Sequence, residues 1–472
     1  MILRKTKIVA TIGPATESEE MLRNLVNLGV NVFRLNSSHD EFENHRRRIQ
    51  TLKKIRDEKK ISFSILIDLS GPKIRTGALS QDKIILKEGD TLVLTTEEIL
   101  GTKEKISINY TKFPYEVKSH DKILINDGAI ELEVLETKEK EVVTKVIRGG
   151  TITHHRGVNL PGIDLSISPI TEKDKQFIQL AIEENVDYIA LSFVRKASDV
   201  KLAKSLSNGI PVIAKIETAQ ALQNLEDIVK EADGVMVARG DLGVEIPLSQ
   251  VPIAQKEIIK NANRYAKPVI TATQMLETMI NNETPTRAEI SDIANAIIDG
   301  TDAIMLSAET SIGKHPLEAV NVMNEVAINT EKYIHKYDTN NNSWIKNLYT
   351  LENIEDAVSQ AAFKLSENVN AKLIITPTST GKTAINVARF RPKIPILAPT
   401  PNQSTFYRLS LVWGVIPVKI DPTLSTDEMI LEVMKISKEL GLTKAFDKVI
   451  ITAGIPWGKP GTTNTVQVQE II

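Results

Sequence analysis

Eight short runs of apolar and β-branched residues recur through the first two thirds of the chain, separated by amphipathic helical stretches. They are Lys7–Ile12, Asn31–Asn36, Ser62–Leu69, Tyr188–Phe193, Pro211–Glu217, Gly234–Ala238, Pro268–Thr273 and Ala303–Ser307. Most are continuously apolar rather than alternating, as parallel strands covered on both faces are. Thr16 with Glu19 and Thr171 with Asp174 have the spacing of capping boxes that open two of the intervening helices. Eight such units predict a closed (β/α)8 barrel, which brings the C-terminal ends of its strands to one mouth.

The spacing breaks once, where more than a hundred residues separate the third run from the fourth. From Asp82 to Gly150 the pattern turns to strand-like alternation, punctuated by turn residues such as Asn126-Asp127-Gly128. An all-β domain is expected over 71–157, inserted in a βα loop and dividing the barrel into 1–70 and 158–340. Such a loop leaves the barrel at its mouth, so the insert is a candidate lid. After the polar link Asp338–Ser343 a shorter α/β pattern occupies 341–472, with strands at Leu373–Thr376, Pro395–Pro399, Val415–Ile420 and Lys448–Thr452. These are too few for a second barrel, so an open sheet is expected. The fold class is therefore α/β: a TIM barrel, an inserted β-rich lid and a C-terminal open-sheet domain.

Composition excludes several functions. Basic and acidic residues nearly balance, for a net charge of -2, so no basic field invites nucleic acid or a membrane surface. No apolar run approaches the ~18 residues that span a bilayer. Met1 to Pro14 lacks the apolar core of a signal peptide and reads as a first strand, so a cytoplasmic enzyme is expected. There is no cysteine, which leaves oxygen or one of seven histidines to bind any metal.

The strand ends carry the chemistry. They present Thr11; Arg34, Asn36 and Ser38; Asp68; Ser192; Lys215 and Glu217; Arg239 and Asp241; Thr271 and Thr273; and Ser307 and Glu309. Glu217 and Asp241 end neighbouring strands, and paired carboxylates among hydroxyls suit Mg²⁺ or Mn²⁺. Lys215, two residues before Glu217, points to the same side of its strand. With Arg34 and Arg75 it would surround a multiply charged anion beside the metal, as phosphoryl transfer requires. Singly, a Lys–Glu pair at this spacing is more readily a structural ion pair, and Asp68 could simply cap a turn. Recurrence at nearly every strand end favours a site.

These segments resemble the pyruvate kinase family. The likeness runs in family order through Lys7-Ile-Val-Ala-Thr-Ile-Gly-Pro-Ala15, Phe33-Arg-Leu-Asn-Ser-Ser-His39, Asp68-Leu-Ser-Gly-Pro-Lys-Ile-Arg75, Gly157-Val-Asn-Leu-Pro-Gly162, Ile213-Ala-Lys-Ile-Glu217 and Met236-Val-Ala-Arg-Gly-Asp-Leu-Gly-Val-Glu245. It continues through Ala272-Thr-Gln-Met-Leu-Glu-Thr-Met279, Pro285-Thr-Arg-Ala-Glu289 and Met305-Leu-Ser-Ala-Glu-Thr310. The resemblance implies phosphoryl transfer from phosphoenolpyruvate to ADP, giving pyruvate and ATP through an enolate that is then protonated.

The resemblance also implies roles. Glu217 and Asp241 would bind Mg²⁺, Lys215 and Arg34 would hold the phosphoryl group, and Thr273 and Ser307 would lie on the proton route. The backbone of Ala238, Arg239, Gly240 and Asp241 would take the substrate carboxylate. His39, Arg75 and Arg156 would face the nucleotide, and Asn36, Ser38, Asp68 and the Leu69 carbonyl would form a monovalent-cation site. A homotetramer is implied as well. Other metal-dependent barrel enzymes that handle enolates, such as aldolases, share the Lys–Glu–Asp cluster, but have no use for the Arg156 lid. A catalytically silent binding protein would not need Lys215, Glu217, Asp241 and Thr273 together.

Two departures matter. Lys73 stands where K⁺-requiring members carry glutamate, and Leu69 replaces their usual threonine, so a K⁺ requirement is not expected. Thr310-Ser-Ile-Gly-Lys-His315 lacks a lysine that animal members place just after the motif. In the C-terminal domain, Thr378-Ser379-Thr380-Gly381-Lys382-Thr383 follows a strand and precedes a helix. Thr376 occupies the place of a P-loop's first glycine, so no second NTPase site is expected. The resemblance makes this loop a site for a sugar phosphate or a nucleoside monophosphate; a plain helix cap uses the same residues.

Overall fold

A computed structural model describes residues 4–337, 353–421, 425–454 and 463–471. The expected link Asp338–Ser343 and the boundary at 340/341 lie outside the described residues.

Eight parallel strands close into a barrel: Lys7–Ile12, Val32–Asn36, Ser64–Asp68, Tyr188–Leu191, Val212–Ile216, Gly234–Ala238, Val269–Ala272 and Ala303–Leu306. Each pairs with its neighbours in chain order, and the first meets the last through Lys7 opposite Ala303. Nearly every residue in these strands is buried, because side chains point alternately into the barrel and under the outer helices. Register brings polar ends together: Thr11 lies opposite Arg34, and Asn36 opposite Asp68.

Of the two expected capping boxes, Thr171–Asp174 forms, opening the helix Glu172–Glu183. The other does not. Ser18 caps the helix Glu19–Asn27, while the Thr16 hydroxyl donates to the Thr310 carbonyl at 2.9 Å. Thr16 is spent on joining the loops that follow the first and eighth strands, and the helix starts later.

Between the third strand and the helix at Glu172, the insert forms a six-stranded and a two-stranded sheet. Leu92, Leu94, Phe113, Ile123 and Val142 form part of a core of its own. Asn126, Asp127 and Gly128 all take positive φ, making the tight hairpin turn that their identities suit. The C-terminal sheet is open and five-stranded, and its last strand, Thr463–Glu470, runs antiparallel at the edge. That strand escapes periodicity because its polar sequence is largely exposed. Arg391 ties this domain to the N-terminal end of the eighth strand through Asp302 at 3.0 Å and the Gly300 carbonyl at 2.6 Å. Among the described residues, no helix is long and apolar enough to cross a membrane.

Candidate active site

The barrel mouth gathers six of the strand-end groups into one buried network. Arg34 reaches Asp68 Oδ2 at 2.7 Å through Nε and Thr11 Oγ1 at 2.9 Å through Nη1. Asp68 Oδ1 lies 3.4 Å from Lys215 Nζ, which also lies 3.2 Å from Glu217 Oε2 and donates to Ser192 Oγ at 2.7 Å. Two cations therefore alternate with two carboxylates across strands two to five. Their charges decide the protonation states. Burial disfavours the Asp68 carboxylate, but Lys215 and Arg34 outweigh it and hold the carboxyl below its ordinary value. Burial likewise opposes the Lys215 ammonium, yet Asp68, Glu217 and Asp241 together keep it firmly protonated, above its ordinary pKa. Glu217 goes the other way: burial pushes it up to about 7, against the opposing effect of Lys215.

Glu217 has two distinct oxygens. Oε1 accepts the Phe193 N–H at 2.6 Å, while Oε2 is buried 3.2 Å from the Lys215 ammonium, an ion pair outside hydrogen-bonding geometry. The ion pair leaves Oε2 without a well-aligned donor among the described residues, and a buried acceptor so placed costs up to about 1–3 kcal/mol. A hard divalent cation shared with Asp241 would remove that cost, so the donor set fits Mg²⁺ or Mn²⁺. Asp241 is exposed in the first turn of the helix Arg239–Glu245, at the edge of a cleft of about 290 Å³ between barrel and lid. Lys73, Arg75 and Arg156 line the same cleft.

The seventh strand ends on a second constellation. Thr273 has φ +67 and Gln274 φ +57, consecutive left-handed residues that store about 1–3 kcal/mol of strain each. Arg239 holds them there: Nη2 donates to the Thr273 carbonyl at 2.6 Å, and Nη1 meets both Asp292 oxygens at 2.8 and 2.7 Å. The Arg239 guanidinium is thus committed to its own scaffold, and its backbone remains beside the mouth. Thr273 Oγ1 accepts the Gly240 N–H at 2.9 Å, next to Asp241. Ser307 Oγ is buried without a hydrogen-bond partner among the described residues, while the Ser307 N–H donates to Glu309 at 2.7 Å.

Of the other expected site residues, only the Leu69 carbonyl touches this network, through Ser192, among the described residues. Asn36 Oδ1 accepts the Ser38 N–H at 3.2 Å, and the Leu69 carbonyl accepts from Ser192 Oγ at 2.6 Å. His39 is exposed, and Arg75 donates to the His155 carbonyl at 3.0 Å across the lid. The loop Thr378–Thr383 lies in the C-terminal domain. There Thr378 Oγ1 accepts the Gly381 N–H at 2.9 Å, and Thr383 Oγ1 lies 2.7 Å from Thr463 Oγ1.

A family model described as the pyruvate kinase barrel domain matches residues 3–320, and one described as the pyruvate kinase alpha/beta domain matches residues 356–469. The chain belongs to the pyruvate kinase family. Among its relatives, the pyruvate kinase of Thermotoga maritima is 51% identical over 473 residues, covering 99% of this chain and 100% of that one. The pyruvate kinase of Geobacillus stearothermophilus is 45% identical, covering 99% of this chain and 80% of that one. The crystal structure of a pyruvate kinase from Cryptosporidium parvum matches with a TM-score of 0.93 at 36% identity, over 99% of this chain and 96% of that one. The enzyme transfers the phosphoryl group of phosphoenolpyruvate to ADP, yielding pyruvate and ATP. Pyruvate kinases generally use Mg²⁺ and K⁺.

In the sequence Ser192 is a strand-end residue without a role, Phe193 only the last residue of an apolar run and Gly71 only part of a family segment. A glycine between Ser70 and Pro72, just past a strand, hints at a close approach; Phe193 carries no local signal.

Proposed function

We propose that phosphoryl transfer in this enzyme is carried by Lys215 and Arg34, with Glu217 and Asp241 holding Mg²⁺ or Mn²⁺. The observation behind this reading is the Lys215 ammonium, 3.2 Å from Glu217 and 3.4 Å from Asp68 at the barrel mouth. When bound, the divalent ion supplies Lewis-acid neutralisation of phosphoryl charge. A β-phosphate oxygen of ADP attacks phosphorus, the bond from phosphorus to the enol oxygen breaks, and its electron pair stays on the enolate oxygen. Lys215 and Arg34 are fixed cations aimed at that developing charge. Thr273 and Ser307 lie on the route by which a proton reaches the enolate carbon. The backbone of Ala238, Arg239, Gly240 and Asp241 orients the substrate carboxylate. His39, Arg75 and Arg156 face the nucleotide, with the two lid arginines closing over its phosphates. A coupled assay of pyruvate formation from phosphoenolpyruvate and ADP tests the whole. Formation that needs no divalent ion would overturn the metal roles.

The monovalent-cation residues Asn36, Ser38, Asp68 and the Leu69 carbonyl remain, but Lys73 supplies its own ammonium at the cleft. Relative to a glutamate there, the local charge rises by two. Unit charges about 4 Å apart interact by about 1 kcal/mol in water and about 4 kcal/mol at a protein surface. A tethered cation also avoids the entropy of recruiting a free one. Turnover in K⁺-free tetramethylammonium buffer at constant ionic strength is therefore expected within a few-fold of turnover with K⁺, and Lys73→Glu should acquire a K⁺ dependence. Activation of the unmodified enzyme by two orders of magnitude on adding K⁺ would refute this.

The loop Thr378, Ser379, Thr380, Gly381 and Thr383 is read as an effector site for a sugar phosphate or nucleoside monophosphate. Thr380 is exposed at its tip. At least one such compound is expected to lower the apparent KM for phosphoenolpyruvate, and Thr380→Glu to abolish that coupling by opposing the phosphate charge. Gly381→Asp would be a poorer test, because Gly381 has φ +91 and a Cβ there would meet Leu409 at 3.2 Å. A full screen without effect leaves the loop as a helix cap. A cytoplasmic homotetramer completes the reading, and sedimentation of the purified enzyme checks the assembly.

A further inference from the structure

Phe193, two residues past the fourth barrel strand, takes a conformation that phenylalanine seldom adopts. Its φ is +53, in the left-handed region where a bulky side chain is an outlier. The ring is only half-buried, so its packing gives no evident reason for the strain. The consequence is at the backbone: the Phe193 N–H donates to Glu217 Oε1 at 2.6 Å. One oxygen of the carboxylate is thereby fixed. The other, Oε2, is left buried beside the Lys215 ammonium at 3.2 Å, outside hydrogen-bonding geometry.

The strand end is pinned from two sides. Ser192, the preceding residue, donates to the Leu69 carbonyl at 2.6 Å and accepts from Lys215 Nζ at 2.7 Å. Gly71, itself at φ +65, lies against both residues: a Cβ there would stand 2.9 Å from Phe193 Cδ2 and 3.1 Å from Ser192 Cβ. A residue larger than glycine would push the Ser192–Phe193 pair away from the third strand. Local strain persists only where its surroundings over-determine it, and here they do.

We propose that Phe193 is a positioning residue for Glu217, its left-handed backbone aiming the N–H that orients the carboxylate and turns Oε2 toward the divalent cation. The inference rests on the reading of Glu217 as a metal ligand. Groups that orient a ligand in this way typically change metal affinity 10–100-fold when disturbed. The contribution comes from the backbone and not from the ring, so substitutions should rank by their tolerance of positive φ. Asparagine tolerates that region and valine, branched at Cβ, does not.

The test is Mn²⁺ binding to the full chain without substrate, read as free Mn²⁺ by electron paramagnetic resonance, with a thermal melt of each variant. Phe193→Asn is expected to bind within about twofold of the unmodified enzyme, and Phe193→Val about tenfold more weakly. Packing of the ring predicts the opposite order, since valine keeps an apolar side chain there. Valine binding as tightly as asparagine therefore overturns the proposal. Phe193→Ala should fall between them; should the valine variant not fold, alanine binding at or above the asparagine value overturns the proposal instead. Glu217→Gln separates the two ways of failing. If it binds Mn²⁺ normally, the metal reading falls and this proposal with it. If it loses Mn²⁺ while Phe193→Val does not, only the positioning claim falls.

Discussion

Lys215→Met is expected to fold and to form pyruvate more slowly by two to three orders of magnitude. Methionine keeps most of the stem volume and removes one preorganised charge, a loss of about 3–4 kcal/mol in comparable sites. Folding survives because the neighbours can adjust. Asp68 keeps Arg34 at 2.7 Å, and Glu217, whose pKa is already about 7, can take up a proton once the ammonium is gone. The effect should fall on kcat, because the ammonium is aimed at charge that develops during transfer. Steady-state pyruvate formation, with circular dichroism to confirm folding, is the measurement. Near-normal turnover by folded protein would remove Lys215 from its role.

Glu217→Gln is expected to weaken Mn²⁺ or Mg²⁺ binding by at least about a hundredfold and to abolish activity at ordinary metal concentrations. Asp241→Asn should follow it. The Glu217 variant should also lose a pH dependence. In the metal-free enzyme burial pushes Glu217 up to about 7, with Lys215 opposing and Asp241 reinforcing the shift. The folded state then holds this proton more tightly than the unfolded chain. The stability it contributes is fully present below the ordinary value of 4.5 and is lost as pH rises through about 7. The metal needs the ionised form, so apparent affinity should fall by about tenfold per pH unit below about 7. Calorimetric titration in buffers of different ionisation enthalpy reads the released proton. Metal affinity that does not change between pH 6 and 8 would show that metal binding there displaces no proton from Glu217.

The strain at Phe193 and Thr273 gives the site a common design. In both places a residue just past a strand end takes a left-handed conformation, at φ +53 and φ +67. In both, a hydrogen bond links that residue to a neighbouring strand end. The Phe193 N–H reaches Glu217 after the fifth strand, and Thr273 Oγ1 receives Gly240 after the sixth. Strand ends of a barrel are close in space but far apart in sequence, so such ties turn separate loops into one rigid surface.

All eight barrel strands were legible in the sequence, each within a few residues of its observed bounds. Apolar periodicity is local, and the chain reports it wherever it occurs. The polar groups at the strand ends were legible for the same reason: once a strand is located, its last residues are known to face the mouth. The sequence of Thr463–Glu470 hid an edge strand, because exposure on an edge removes the apolar signal. Thr16 misled because a hydroxyl near a helix start does not reveal whether a nearer carbonyl, here that of Thr310, will claim it. What only the tertiary structure decided was which groups meet and in what state. Arg239 turns to Asp292 on a helix more than fifty residues later. Glu217 is held near neutral pH by burial among strands from across the chain. The Phe193 backbone is set by Gly71 and Ser192, just past the third and fourth strands, although more than a hundred residues, most of them lid, separate Gly71 from Phe193. Burial, charge and backbone strain are sums over neighbours in space, and a linear pattern contains no record of them.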